Sequence, residues 1–572
     1  MFKKTSVKRV NHKKPSTQEP VVRFCPLGGF EEIGRNCSFY EYKNEIIVVD
    51  LGIQFPEEET PGIDYIIPNV SYLEPKKKNI KGIILTHGHY DHIYALPYLI
   101  EKLGNPIIYT APLTKAIVEK RMEEFPNMPK PRFQVVKEGD KLTLSENFQA
   151  EFFDIGHTIP DGIGFVLTTP VGKMVSFGDF RVERDKHGNP IHTKSFEKLN
   201  RTEIHTAFID STSADIEGAS ISEDTVKDNI EDLLKKAEGR VIIATFASLL
   251  TRIAAIFEIA DRLGKKVALN GRSMKNNVQI AKTLGYIKNP KGLEISMDEV
   301  SKFKDDKVII LTTGGQGEPN AGLTRIANGE HKSVRLKPTD SVIFSSSVVP
   351  GNERSVQILQ DNISRQVDEI YNYEFLDIHA GGHSHKEDIK LVIKMLAKTK
   401  FILPIHGYYY KRKSLAKTAI SLGVPKNNTF LIDNGQVCEL TKNGFRVTSE
   451  KVPANYVMVD GLGVGDVEEV VLRDRIMLSE EGMVVVIATI DRKTGKIIKN
   501  PDIISRGFIY LKENKTLLDD IRTKLRNILT RIPFNQKPDP DYIKGLLRDQ
   551  IGQLIYIKTK RRPMILPVLI EI

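Results

Sequence analysis

The stretch LTHGHYDH at residues 85–92 ends the apolar run GIIL and places three histidines and an aspartate within six residues. An apolar run of this length predicts a strand, and the polar residues after it predict a loop. Imidazole and carboxylate groups suit zinc or manganese. A lone histidine is ordinarily a packed or surface residue, but four potential ligands at this spacing indicate a metal-binding loop. The residues concerned are His87, His89, Asp91 and His92.

Other potential ligands stand at the ends of further strand-like runs. EFFDIGH ends at His157, KMVSFGD at Asp179 and KFILPIH at His406. Each of these alone would be weak evidence, since an aspartate beside a glycine is usually a turn residue. Their shared position at strand ends favours a site for two metal ions, which requires two overlapping sets of ligands.

The chain has 572 residues, too many for a single core, and therefore predicts several domains. β-branched runs that end in glycine, aspartate or histidine indicate a layered α/β domain at first. After residue 215, regular alternation of strands and amphipathic helices predicts a parallel sheet over about 216–384. The run FILPIH resumes the earlier style, so this middle domain is interpreted as an insertion. A glycine-rich junction near 453 precedes a small α+β domain.

Composition narrows the class of protein only a little. The formal net charge of +10 favours a polyanionic partner, either nucleic acid or an acidic membrane surface. Cys25, Cys37 and Cys438 form no CxxC pair, so we expect buried reduced thiols in a cytoplasmic protein. The basic N-terminus has no apolar core of a signal peptide, and no apolar run approaches about 18 residues, so we expect no membrane segment.

The motifs in their order resemble a known family. HxHxDH, a later histidine and GDF resemble the ligand series of the metallo-β-lactamase fold, and IDST at 209–212 with HAGGH at 379–383 resembles its β-CASP branch. The resemblance to the ribonuclease J family covers roughly residues 21–572. The segments specific to that family are TFAS at 245–248, TGGQGEP at 313–319, FSSSVVPGNE at 344–353 and DGLGVGDV at 460–467.

This resemblance implies a fold class and its boundaries. The implied fold is α/β: a metallo-β-lactamase αββα sandwich with an inserted β-CASP α/β domain and a small C-terminal α+β domain. The expected order is a flexible basic tail at 1–20, the first part of the sandwich at 21–215, the β-CASP domain at 216–384, the second part of the sandwich at 385–452, a linker at 453–465 and the C-terminal domain at 466–572.

The resemblance also implies cofactors and their ligands. Two divalent metal ions are expected, zinc by preference, with manganese or magnesium as alternatives. The implied ligands are His87, His89 and His157 for one ion, Asp91, His92 and His406 for the other, and Asp179 as the bridge. A structural calcium ion could be held by Gly62, Asp64 and Asp460, although these residues could also only make turns.

Catalytic and substrate-binding roles follow from the same carry-over. Asp91 would orient the attacking hydroxide or take the proton from the water that forms it, and His383, paired with Asp210, would protonate the departing 3′ oxygen. A capping role is the alternative for Asp210. The loop implied to hold the phosphate of the substrate consists of His379, Ala380, Gly381, Gly382 and His383.

This chain departs from the family pattern at four positions of interest. Tyr90 and Tyr94 stand where HGHEDHIGG has glutamate and glycine, and Gly381 and Gly315 each replace a serine. The metal ligands are retained. The missing hydroxyl at Gly381 concerns phosphate binding and therefore the preference for a 5′ monophosphate.

The implied activity is metal-dependent hydrolysis of RNA, 5′-to-3′ and internally, in RNA maturation and decay. The expected partners are RNA and further subunits, as a homodimer, homotetramer or hetero-oligomer with a paralogue. Arg252, Arg272 and Lys411 are candidates for phosphate binding in the channel, or are solvated charges. Three alternatives stay open: a thioester or lactam hydrolase, a β-CASP DNA nuclease, and a weakly active RNA-binding paralogue subunit.

Overall fold

The computed structural model describes residues 19–56, 60–191, 193–461, 463–465, 469–491, 496–509, 514–532 and 539–572. The predicted tail at 1–20 lies almost wholly outside these residues. The chain divides into two compact units. One extends to residue 54 and continues over 67–457, and the other combines 55–66 with 458–572. Residues 55–66, predicted to belong to the first domain, are part of the C-terminal unit instead.

Two mixed sheets pack face to face in the first unit, because apolar side chains of both, such as Phe24 and Phe165, share one buried core. The strands of the first sheet, in spatial order, are Phe445–Lys451, Gln436–Leu440, Val22–Gly28, Cys37–Tyr42, Glu45–Val49, Ile80–Ile84, Ile107–Thr110 and Arg132–Val135. Those of the second are Thr399–Ile405, Ile204–Asp210, Gly172–Ser176, Ile163–Thr169, Gln149–Asp154 and Lys141–Thr143.

Helices cover these sheets. Lys386–Met395 and Tyr409–Ser421 place Ile389 and Leu415 in a second apolar core behind the second sheet. The remaining helices of this part are Tyr90–Ile93, Leu96–Leu99, Pro112–Met122 and Lys194–Leu199, with the 3-10 turns Glu74–Asn79 and Lys426–Asn428.

The middle of the chain forms the predicted parallel sheet. Its strands, in spatial order, are Glu294–Ile295, Lys266–Asn270, Val308–Thr312, Val241–Ala244, Ser341–Phe344 and Glu369–Asn372. The helices between them are Glu223–Lys236, Leu250–Arg262, Arg272–Thr283, Gly322–Ala327 and Glu353–Ser364, with 3-10 turns at Met297–Lys302 and Asp305–Lys307. Crossover helices are what a parallel sheet requires, and the alternation after residue 215 predicted them.

The C-terminal unit has its own core. Its sheet consists of Asp502–Arg506, Met483–Ile490 and Met564–Glu571, and its helices are Glu469–Glu481, Lys515–Leu529 and Pro540–Thr559. These strands and helices form the small α+β domain predicted after the glycine-rich junction, although the helix Pro540–Thr559 itself was not predicted. A small three-stranded sheet consists of Gly463–Val464, Val457–Asp460 and Tyr65–Ile67.

The described residues bear on the predictions about membrane segments and cysteines. No helix among them is both long and apolar enough to span a membrane. Cys25, Cys37 and Cys438 are buried free thiols, as predicted, and burial raises the pKa of Cys438 to about 12.

Candidate metal centre

Parallel pairing explains why distant residues meet at one edge of the second sheet. Ile204–Asp210 pairs in parallel with Gly172–Ser176 on one side and Thr399–Ile405 on the other. The carboxyl ends of parallel strands lie at the same edge, so Asp179, Asp210 and His406 are delivered to one place. The last of these has a backbone φ of 49°, a left-handed conformation that is strained for a histidine and is characteristic of functional sites.

The first group of ligands consists of His87, His89 and His157. The His89 Nδ1 atom lies 3.1 Å from His87 Nε2 and 3.0 Å from His157 Nε2. One proton cannot bridge three ring nitrogens, whereas one cation at their centre can be bound by all of them. Tetrahedral zinc with Zn–N bonds of about 2.0–2.1 Å separates its nitrogen ligands by roughly 3.3 Å, so the donor set fits a divalent ion.

The second group consists of Asp91, His92, Asp179 and His406, whose ligand atoms lie within 4.8 Å of one another. His92 Nε2 is 3.1 Å from Asp179 Oδ2, and His406 Nδ1 is 2.9 Å from Asp179 Oδ1. The same Asp179 carboxylate lies 4.0 Å from His87 Nε2 of the first group. This carboxylate therefore stands between the two groups, where a bridging ligand belongs.

Backbone and side-chain partners orient these ligands. Asp50, which sequence reasoning missed, lies 2.8 Å from His92 Nδ1 and leaves Nε2 directed at the site. The Gly382 carbonyl accepts from His157 Nδ1 at 2.6 Å, which likewise leaves Nε2 free of a proton. Such outer partners fix the tautomer of a metal-binding histidine. Asp50 follows the strand run EIIVV, so its strand-end position was the signal available in the sequence.

Protonation states in the cluster follow from burial and charge. Burial lowers the pKa of His89 to about 4 and holds that of His87 well below its usual value. Burial alone would lower the pKa of His92 and His406, but Asp179 raises both well above the ordinary range. The two histidines in turn hold the pKa of Asp179 well below its usual value, against the effect of burial. Metal binds neutral imidazole and ionised carboxylate. His87, His89 and Asp179 are therefore already in the binding form. His92 and His406 would release a proton when a metal binds.

A second pair of residues stands beside these ligands. His383 Nδ1 lies 2.7 Å from Asp210 Oδ2, and the His383 side chain is 22% exposed. Asp210 also accepts from the backbone N–H of Thr212 at 2.9 Å, so the alternative capping interaction is present together with the histidine contact. The pKa of His383 would fall with burial, but Asp210 raises it.

The three candidate phosphate-binding cations have different surroundings. Arg252 is buried and donates to His379 Nδ1 at 2.8 Å and to Glu223 at 2.6 Å, so it is neither solvated nor open to a channel. Lys411 donates to the Thr212 carbonyl at 2.7 Å and is partly buried. Arg272 is exposed at the start of its helix, as a solvated charge would be.

The predicted calcium ligands lie together in the C-terminal unit, but a cation of the chain already contacts them. Arg475 binds the Asp460 carboxylate and donates to the Gly62 carbonyl at 3.0 Å. Asp64 accepts from the Gly461 N–H at 2.8 Å. Since a guanidinium already satisfies the oxygens of Asp460 and Gly62, the donor set does not fit a calcium ion, and calcium binding stays a prediction without support from this geometry.

The departures from the family pattern leave the ligands in place. Tyr90 and Tyr94 stack on each other with ring centroids 4.0 Å apart, and the Arg121 guanidinium lies 3.9 Å from the Tyr94 ring. A Cβ atom at Gly381 would meet nothing within 4 Å, whereas one at Gly315 would lie 3.1 Å from Ser346 Oγ. A serine at position 381 therefore has space that position 315 lacks.

Comparison with known proteins shows which family the chain belongs to. The metallo-beta-lactamase superfamily matches residues 31–204, the ribonuclease J beta-CASP domain 238–363 and the ribonuclease J C-terminal domain 470–572. Ribonuclease J 1 of Streptococcus pyogenes serotype M3 is 37% identical over 95% of this chain and 96% of its own length. This chain belongs to the ribonuclease J family. Ribonuclease J2 of Bacillus subtilis is 35% identical over 98% of this chain and 100% of its own length.

The comparisons confirm the resemblance and the fold class predicted from the sequence: a metallo-β-lactamase fold with an inserted β-CASP domain and a C-terminal domain. Among solved structures, a protein of unknown function from Enterococcus faecalis V583 is similar with a TM-score of 0.54 and 16% identity. The match covers 75% of this chain and 100% of the Enterococcus protein, and at 16% identity it shows only that the two folds are similar.

Proposed function

We propose that this ribonuclease J family member is a metal-dependent ribonuclease with 5′-to-3′ exonuclease and endonuclease activity, acting in RNA maturation and decay in the cytoplasm. The observation that carries the proposal is the Asp179 carboxylate, which lies 4.0 Å from His87 and 2.9 Å from His406 and so joins two ligand groups. The family relation does not favour the thioester or lactam hydrolase, the β-CASP DNA nuclease or the weakly active RNA-binding paralogue subunit.

Different residues would bind the metal ions, orient the nucleophile and donate the proton to the leaving group. His87, His89 and His157 would hold one divalent ion, and Asp91, His92 and His406 the other, with zinc the first candidate. Bound ions supply Lewis-acid chemistry, which lowers the pKa of water and offsets charge on the phosphate. Asp91, within 3.4 Å of His406 Nε2, orients the attacking oxygen or takes its proton. His383 is held through Nδ1 by Asp210, which leaves Nε2 to donate a proton to the departing 3′ oxygen.

The test is cleavage of end-labelled RNA by the purified protein, with metal removed by a chelator and then restored as zinc, manganese or magnesium. We expect no cleavage without metal and recovery on adding at least one ion. Equal amounts of the matching DNA strand serve as the control for substrate class. Cleavage that persists in the chelator, or cleavage of DNA at the same rate as RNA, would reject the proposal.

A serine at position 381 should improve recognition of the 5′ end. The phosphate loop of the family carries a serine here, and Gly381 offers no hydroxyl. One hydrogen bond to a charged group contributes roughly 1.5–3 kcal/mol, or about ten- to a hundredfold in affinity. Because a Cβ at this position meets nothing within 4 Å, the substitution should be accommodated. We expect Gly381→Ser to lower KM for 5′-monophosphorylated RNA by about tenfold in a time course on 3′-labelled substrate.

Gly381→Ala is the matched control, because it adds the Cβ without the hydroxyl and should behave like the parent. RNA with a 5′ triphosphate should benefit less, since that group is larger and more highly charged. A serine variant no faster than the parent would show that Gly381 does not limit phosphate binding. Products shortened from the 3′ end would overturn the direction of attack.

We propose that the C-terminal domain joins subunits into a homodimer, homotetramer or hetero-oligomer with a paralogue. Met564–Glu571 is an edge strand, and its Leu566 and Ile570 side chains are 47% and 45% exposed. An open edge with apolar side chains favours association with another chain. The nearby helix Pro540–Thr559 adds Ile557, which is 59% exposed.

Removal of residues 466–572 should yield monomers with weakened activity, because the catalytic residues lie outside this segment while its exposed strand edge is lost. Light scattering at micromolar concentration measures the mass of the full and shortened chains. Leu566→Lys together with Ile570→Lys in the full chain is the less drastic counterpart, and should also shift the mass toward the monomer. A full-length chain that is strictly monomeric would contradict the proposal.

A further inference from the structure

Three successive carbonyl groups of the loop His379–His383 are held by side chains. Ala380 O accepts from Arg252 Nη2 at 3.3 Å, and Gly381 O accepts from Arg181 Nη1 at 3.0 Å. The Gly382 carbonyl accepts from the metal-ligand candidate His157 at 2.6 Å. The direction of each of these peptide groups is therefore set by a specific donor.

Fixing the carbonyl groups also fixes the N–H groups. The peptide bonds of the described residues are all trans, and in a trans peptide the N–H of the next residue points opposite to the carbonyl. The N–H groups of Gly381, Gly382 and His383 thus point away from the donors that hold the loop. Within the described part of the chain, none of the three donates to a protein acceptor. Backbone N–H groups exposed in succession form a binding site for anions.

The two arginines behind the loop are joined by one carboxylate. Glu223 Oε1 accepts from Arg252 Nη2 at 2.6 Å and from Arg181 Nη1 at 3.4 Å, and Arg181 also pairs with Glu183. Both guanidinium groups belong to side chains only 1% exposed. Burying a charged group carries a desolvation penalty, and apolar side chains would fill the same space without it. The ion network is therefore better explained by the hydrogen bonds that it directs than by stability alone.

We propose that Arg181 and Arg252, linked through Glu223, are positioning residues that aim the backbone N–H groups of the loop at the terminal phosphate of RNA. The inference rests on the proposed function, because it takes a phosphorylated RNA end as the anion. It assigns the preference for a 5′ phosphate to buried side chains that do not touch the substrate. The loop backbone then binds the phosphate even where the hydroxyl of the family serine is missing.

Arg252→Met tests this role by keeping the length of the side chain while removing its donors. We expect KM for 5′-monophosphorylated RNA to rise about tenfold, the lower end for one charged hydrogen bond, because the loop is loosened rather than removed. KM for the same RNA with a 5′ hydroxyl should rise much less. Binding of uridine 5′-monophosphate, measured by calorimetry against uridine, should weaken by a similar factor.

Two further variants keep the result interpretable. Arg365→Met removes an arginine whose side chain is 73% exposed and should change neither KM nor nucleotide binding. Glu223→Gln keeps an oxygen acceptor but removes the charge, and should show a smaller loss in the same direction. Thermal unfolding shows whether each variant is folded. If Arg252→Met does not fold, the KM and nucleotide-binding results for Glu223→Gln decide whether the positioning role holds.

The outcomes separate this inference from the proposed function. An unchanged ratio of KM for the two RNA ends, together with unchanged nucleotide binding in Arg252→Met and Glu223→Gln, overturns the positioning role. A parent protein that cleaves no RNA with any metal but binds uridine 5′-monophosphate overturns the function, and the binding measurements still decide the inference. A parent that neither cleaves RNA nor binds the nucleotide overturns both.

Discussion

Alanine at both His89 and Asp179 should abolish phosphodiester hydrolysis, by about a thousandfold or more, while the fold survives. The reason is that each residue serves the cluster differently: His89 is the centre of the histidine group, and Asp179 joins the two groups. Bound metal ions stabilise the transition state by several kcal/mol, and losing that stabilisation slows the reaction by about a thousandfold. Both residues lie in loops after strands, so the sheets should remain intact.

Elemental analysis of the reconstituted variant measures the metal directly, and circular dichroism reports the fold. We expect about two ions per chain in the parent and fewer in the double variant. His187→Ala with Asp361→Ala is the matched control, because it removes the same residue types from exposed positions. A parent that binds no transition metal after reconstitution, or a double variant that cleaves RNA at the parental rate, would contradict the two-metal site.

The cluster of candidate metal ligands could be predicted because the sequence itself concentrates these residues. His87 to His92 lie within six residues, with Asp91 and His92 on the short helix Tyr90–Ile93, and the other candidate ligands follow apolar runs that are recognisable as strands. The partners that orient the ligands could not be found in this way, because their role depends on residues far along the chain. Asp50 and His92 are 42 positions apart, and Arg181 and the Gly381 carbonyl are 200 apart. Only the folded chain shows that these groups meet.

The fold shows the same division between local and long-range information. The parallel sheet of the inserted domain could be predicted because each strand and helix has its own hydrophobic period. The helix Pro540–Thr559 was missed although Asp539 caps it and Ile543, Leu547 and Ile551 are buried at helical spacing. That signal was available. The sequence holds no comparable local signal for the grouping of residues 55–66 with the C-terminal unit. That grouping depends on tertiary pairing between segments about 400 residues apart, as in the hydrogen bond that the Asp64 N–H donates to the Val459 carbonyl.

His383→Ala should slow cleavage by about 10²–10⁴-fold, the range expected for loss of a general acid, while metal content stays at the parental level. Asp210 holds His383 at 2.7 Å through Nδ1, so Nε2 is the nitrogen that can donate to the departing 3′ oxygen. Asp210→Asn should cause a smaller loss, because the amide can still orient the ring but does not favour its protonated form. His187→Ala, which removes an exposed histidine, should leave the rate unchanged.

A substrate with sulfur in place of the bridging 3′ oxygen distinguishes proton donation from other roles of His383. A thiolate leaves without a proton at neutral pH far more readily than an alkoxide, because thiols have a pKa near 8.5. The parent and His383→Ala should therefore cleave this RNA at similar rates, although they differ widely on ordinary RNA. If the variant is as impaired on the sulfur substrate as on ordinary RNA, His383 acts before the leaving step, in binding or in alignment of the phosphate, and the assignment as general acid fails.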